Sequence, residues 1–121
     1  MSPEIRDAHL NDFALRCFRD TADGDYIAAR MAYRADLIPQ ALWASQQAIE
    51  KYTKCILLLR RIVWNTPNHS LLRPLEKIEQ QIRLRLTPDT REFIKYLDTH
   101  GTEQVLHIAI LRGGPGDRQV R

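Results

Sequence analysis

Period-two alternation of apolar and polar residues is almost missing from these 121 residues, and no segment sustains it beyond a few positions. Strands are therefore hard to place. Long apolar runs are missing too: the longest is Cys55 to Leu59, far short of the roughly 20 residues that a membrane-crossing helix needs. Cysteine is scarce. Cys17 and Cys55 form neither a disulfide framework nor a metal-binding pair, and both read as small core residues in a reducing cytoplasm. Three of the five glycines crowd into Gly113-Gly114-Pro115-Gly116, with no strand before them and no helix after, which excludes a phosphate-cradling loop. No serine occupies a glycine elbow of the hydrolase kind. His100 and His107 are seven apart, but no carboxylate or thiol completes a metal set. No metal and no cofactor is indicated. The opening residues are polar and acidic, unlike a secretory signal. An excess of one charge is also missing: 18 Lys and Arg against 15 Asp and Glu leave +3, a bias compatible with nucleic acid that does not demand it.

What is present is helix. Hydrophobic residues make up 44% and charged residues 27%, the profile of one soluble globular domain, which at this size buries roughly two thirds of its unfolded surface. From Pro39 to Trp64, Leu42, Ser45, Ile49, Tyr52, Ile56, Leu59 and Val63 recur at three- and four-residue steps, on one helical face. Ala41, Ala44, Ala48, Cys55, Leu58 and Ile62 make a second seam beside it. A face this wide predicts the central helix of a bundle or a subunit contact. Before it, Glu4 to Ala35 is helical, with a kink or break expected at Asp23-Gly24-Asp25. After it, a loop at residues 65–68 leads to a third helix, capped by Asn68 or Ser70, with Leu71, Leu75, Ile78, Ile82 and Leu86 on one face. Thr87-Pro88-Asp89 opens a short helix with Phe93, Ile94 and Leu97 inward. Beyond Gly101 the sequence fits either more helix or a short strand over Val105 to Leu111. A flexible glycine-rich tail is expected over 112–121.

Pro39-Gln40-Ala41-Leu42-Trp43-Ala44-Ser45-Gln46-Gln47-Ala48-Ile49-Glu50-Lys51-Tyr52-Thr53-Lys54, followed by an aliphatic run, resembles the second helix of HEPN domains. Asp25-Tyr26-x-x-Ala29-Arg30 is similar to the end of that family's first helix. Asn68-His69-Ser70-Leu71-Leu72 with Leu75-Glu76-Lys77-Ile78 is similar to its loop and third helix. Phe93-Ile94-x-Tyr96-Leu97-Asp98-x-x-Gly101 looks like one of its branches. The match is strongest over Phe18 to Ile82. The resemblance implies an all-α, up-and-down bundle of four to five helices over residues 1–111, commonly dimeric, with an atypical or shortened C-terminal end. It further implies an RNA- or nucleotide-linked role in the cytoplasm: an RNA-cutting toxin, a companion of a minimal nucleotidyltransferase in a toxin–antitoxin pair, or a binding scaffold. The nuclease members carry Arg, four to six residues, then His. A guanidinium there stabilises phosphoryl charge while the imidazole moves a proton. Here that spacing is missing, because Arg61 precedes His69 by seven intervening residues and Arg91 precedes His100 by eight. A non-catalytic member is the leading expectation. The alternatives are a metal-independent endoribonuclease using Arg91 and His100, and a structural dimerisation module without nucleic-acid contact. In place of the family's final aromatic- and arginine-rich helix stand Glu103-Gln104-Val105 and the glycine tail, so part of the second helix's face should seek a partner.

Arg60, Arg61, His69 and Arg73 fall where the second helix ends and the third begins, and amide donors at a helix N-terminus suit a phosphate. They are the candidate RNA- or phosphate-binding group, against a reading in which the arginines complement a helix end and His69 helps cap. Arg83, Arg85 and Arg91 form a second basic stretch. Neither stretch has interleaved exposed aromatics, so no stacking platform for single strands is indicated. Gln46, Gln47, Glu50 and Lys54 form a polar strip suited to positioning by hydrogen bonds between helices or subunits. Trp43 and Trp64 flank the apolar face as core residues or interface anchors.

Overall fold

The computed structural model describes residues 1–64 and 70–101, the last two by backbone alone. All regular elements among them are helical. Ser2 accepts the Ile5 amide at 3.2 Å and opens α1 (Pro3–Phe13), with Pro3 at the first helical position where no donor is needed. The path continues through a π-helical segment (Ala14–Arg19) into α2 (Asp20–Arg34). The widened turn brings Phe13 and Phe18, five apart, into an edge-to-face pair with centroids at 5.8 Å. Gly24 neither kinks nor breaks this rod; the irregularity lies a turn and a half earlier, at the π-helical segment. A glycine in a helix lowers its stability, but tertiary bonds described below hold both aspartates that flank Gly24.

α3 (Ile38–Leu59) folds back on the first rod. The turn is closed at Asp36, φ 63°, by Asp36 N–H to the Tyr33 carbonyl (3.0 Å) and Leu37 N–H to Ala32 (2.8 Å). The far end of α3 closes the same way at Arg61, φ 54°, by Arg61 N–H to Leu58 (3.1 Å) and Ile62 N–H to Leu57 (2.8 Å). These closures satisfy carbonyls that a helix end leaves open. α3 therefore stops at Leu59 rather than near Trp64, and Val63 is solvent-exposed.

The predicted wide face of α3 divides in two. Ala41, Ala44, Ala48 and Cys55 are buried, and α2 contributes Ala22 and Ala29; small residues on both rods let their backbones approach closely. Leu42, Ile49 and Ile56 pack instead on a cluster of Leu57, Leu71, Leu75, Ile78, Ile94 and Leu97. α4 (Leu72–Gln81) and α5 (Pro88–Tyr96), which continues as a π-helical segment (Leu97–Gly101), supply most of that cluster. Four rods result among the described residues, all-α as the sequence implies.

Three local expectations are corrected. α4 ends at Gln81, and Ile82 is extended (φ −134°, ψ 170°), so Leu84 and Leu86 reach the cluster from a connector. Phe93 is 43% exposed while Ile94 and Leu97 are buried. Cys17 faces solvent on the π-helical segment, whereas Cys55 is buried, which pushes its thiol pKa up against the opposing pull of Arg19. The 112–121 tail and the Val105–Leu111 segment lie outside the described residues.

Candidate nucleic-acid interface

The end of the bundle where α3 stops and α4 starts carries the first basic group. Arg60 is exposed at the C-cap of α3. Arg61 adopts the left-handed backbone that a side chain rarely favours, and both terminal nitrogens of its guanidinium are hydrogen-bonded. It donates to the Leu58 carbonyl, to Asp7 Oδ1 at 3.2 Å and to Asn11 Oδ1 at 3.1 Å. Arg61 thus staples α1 to the end of α3. Arg73 is exposed in the first turn of α4, where its amide donates to Ser70 Oγ at 3.2 Å. His69 lies outside the described residues.

The amide donors of α4 already have an acceptor. Asp98 takes Leu71 N–H at 2.6 Å, Leu72 N–H at 3.1 Å and Ser70 Oγ–H at 3.0 Å. A carboxylate is favoured at a helix N-terminus by its unpaired donors and dipole, so this intramolecular anion fills the position that a phosphate would take. In the sequence Asp98 stands out only within the Phe93–Gly101 motif, and no spacing shows that it reaches 27 residues back to Leu71. Lys77 lies nearby, donating to the Val63 carbonyl at 2.7 Å with Nζ 5.7 Å from the Trp64 ring, so Trp64 is half-buried under a cation.

The second basic stretch is an ion-pair network. Arg91 bonds Glu76 Oε2 at 3.1 Å and Glu79 Oε1 at 2.5 Å. Glu79 also accepts Leu86 N–H at 2.8 Å, and Arg85 donates to the Glu79 and Leu84 carbonyls. The Leu86 amide first, then Arg91, hold the Glu79 carboxyl below its usual range, and the same pairing raises the Arg91 guanidinium. Arg83 is exposed. The helical path from Pro88 to Gly101 is unbroken, so Arg91 and His100 stay nine positions apart along it; the His100 side chain lies outside the described residues.

The polar strip of α3 is split. Gln46 is buried, with no hydrogen bond from its amide among the described residues; Gln47 is half-buried; Glu50 pairs with Lys54 at 3.1 Å. The ties between rods come from its neighbours. Lys51 Nζ meets Asp25 Oδ2 at 2.6 Å, and the Tyr52 hydroxyl donates to Asp23. That bond, then burial and the nearby negative charge, push Tyr52 from 10.0 up to about 12. With Asp7–Arg61, these pairs show the first rod and α3 running antiparallel. Trp43 is 44% exposed. Among the described residues no group of His, Cys, Asp and Glu is arranged to hold a metal, and no helix is long and apolar enough to cross a membrane.

A family model described as the HEPN domain matches residues 16–105, well over half of the chain. The chain belongs to the HEPN family. No curated protein and no solved structure gives a match.

Proposed function

We propose that this HEPN-family protein is a non-catalytic helical module of an RNA- or nucleotide-linked system of the toxin–antitoxin kind. The observation that carries the reading is the missing Arg–(four to six)–His spacing in a chain otherwise matched through residue 105. Two observations support it. The amides opening α4 are occupied by Asp98, and the guanidinium of Arg91 is committed to Glu76 and Glu79. A cation so neutralised is poorly placed to stabilise a phosphorane.

RNA contact then falls to the exposed cations at the α3–α4 end, Arg60 and Arg73, with His69 and with Arg61 as the staple that positions them. Trp43, Gln46, Gln47, Glu50 and Trp64 serve interface and positioning roles in a homodimer, with a minimal nucleotidyltransferase as a candidate companion in the cytoplasm.

The test uses purified protein and total RNA without metal. The reading expects intact RNA and retardation in gels that fades with salt, because phosphate contacts release counterions. Arg60→Ala with Arg73→Ala should weaken retardation about tenfold on that account. Clean cleavage lost in His100→Ala would establish the endoribonuclease reading instead, and no retardation even at low salt would leave only a structural dimerisation module.

A further inference from the structure

Away from the α3–α4 end, α2, α3 and α5 enclose an open groove of ≈ 580 Å³. Its floor is the alanine contact of the two long rods, Ala29 and Ala41. Its walls are Tyr26, Tyr33, Ile38 and Phe93, which are 49%, 70%, 40% and 43% exposed. Large apolar side chains clustered and wetted in this way mark a binding surface rather than scattered surface residues.

Two cations rim it. Arg30 donates to the Tyr26 hydroxyl at 3.1 Å with its guanidinium 5.7 Å from that ring, and Arg34 makes no hydrogen bond or ion pair among the described residues. Neither has a carboxylate partner there. The acidic residues of the same helix are all committed: Asp20 to Arg19, Asp23 to Tyr52 and Asp25 to Lys51. The C-terminal half of α2 therefore presents, beside wetted aromatics, two cations without a carboxylate partner among the described residues.

The geometry points to an amphipathic helix of a separate, acidic polypeptide as the occupant of this groove. Tyr26 and Tyr33 are seven residues apart on α2, about 10 Å at 1.5 Å per residue, matching apolar residues at i and i+7 of a helix laid alongside. Arg30 and Arg34 are one turn apart and match carboxylates at i and i+4. Guanidinium forks suit carboxylates in pairs. The homodimer proposed above uses Trp43, Trp64 and the polar strip of α3, so this groove is left for a different chain, and Arg30 and Arg34 on its rim call for a partner that brings carboxylates. This inference concerns a face other than the RNA-contacting end and does not depend on that reading.

The probe is a labelled 20-residue synthetic helix with leucines at i, i+3 and i+7 and glutamates flanking them, read by fluorescence anisotropy against the same peptide with lysines for glutamates. The full chain should bind the acidic peptide at least about tenfold more tightly, since rim charges set partner choice. Arg30→Glu with Arg34→Glu should reverse that preference, and Tyr33→Ala should weaken both peptides. All three positions are exposed, and an unchanged thermal midpoint confirms folding. Retardation of RNA by the double variant should match the parent. Equal affinity for the two peptides, or no binding of the acidic one, overturns the proposal. So does loss of RNA retardation in the double variant, which would make the groove a nucleic-acid site, or self-association abolished by it, which would make the occupant a second copy.

Discussion

α3 is held on one side by α2 and on the other by α4 and α5, and the two contacts are built on different physics. Toward α2 the seam is alanine: Ala22 and Ala29 with Ala41, Ala44 and Ala48. Little apolar area is buried per residue, so register depends on directional ties, Lys51–Asp25 and Tyr52–Asp23. Toward α4 and α5 the contact is Leu and Ile, with Ile78 and Leu97 wholly shielded. There burial supplies the stability, and the carboxylates of Asp98 and Glu79 serve mainly to satisfy backbone amides. A thin seam can be sealed by charge; a thick one needs its polar backbone paired.

The comparison predicts a graded response. Ile78→Ala should cost about 2–5 kcal/mol, the range for truncating a large buried aliphatic, read by denaturant unfolding. Asp98→Ala should cost about 1–3 kcal/mol by stranding two amides of α4, with amide exchange accelerating at Leu71 and Leu72. Ala44→Leu should cost about 1–3 kcal/mol by overpacking; a neutral result would show that the alanine seam is loose, and the contrast would fail. Gly24→Ala should instead stabilise by about 0.5–1 kcal/mol, because a methyl group there meets nothing within 4 Å.

The last effect is a pH dependence carried by the phenol of Tyr52. Tyr52 is raised from 10.0 to about 12, so the fold favours the protonated form. Its contribution is fully present below pH 10.0 and is lost as pH rises through about 12. Tyr52→Phe should flatten that alkaline limb of the unfolding curve. An unchanged limb would show that the bond to Asp23 does not couple the rods.

Periodicity placed α3 and both of its seams because an apolar stripe at helical spacing has few other uses. The cap at Thr87 was readable for a similar local reason: its side chain accepts an amide three residues on. The ends of α3 and α4 were not readable. Arg61 and Ile82 carry no local stop signal; α3 is closed by the backbone bonds of Arg61 and Ile62 while the Arg61 guanidinium reaches Asp7 and Asn11, and beyond α4 the Leu86 amide is held by Glu79. The candidate site divides likewise. Sequence located the cations at the α3–α4 end, but whether each guanidinium is spent or free depends on carboxylates remote in the chain. Lys51 and Asp25, both inside the family-like motifs, carry a tie that their spacing did not disclose.

Sequence alone determined the helical class, the family and the absence of the nuclease spacing, since each is a pattern within a short window. Only the folded structure decided which side of α3 takes the alanine rod, that Asp98 fills the opening of α4, and that Arg30 and Arg34 have no carboxylate partner among the described residues. The reason is that charge pairing and burial are properties of neighbours in space, and a helix brings its neighbours from anywhere along the chain.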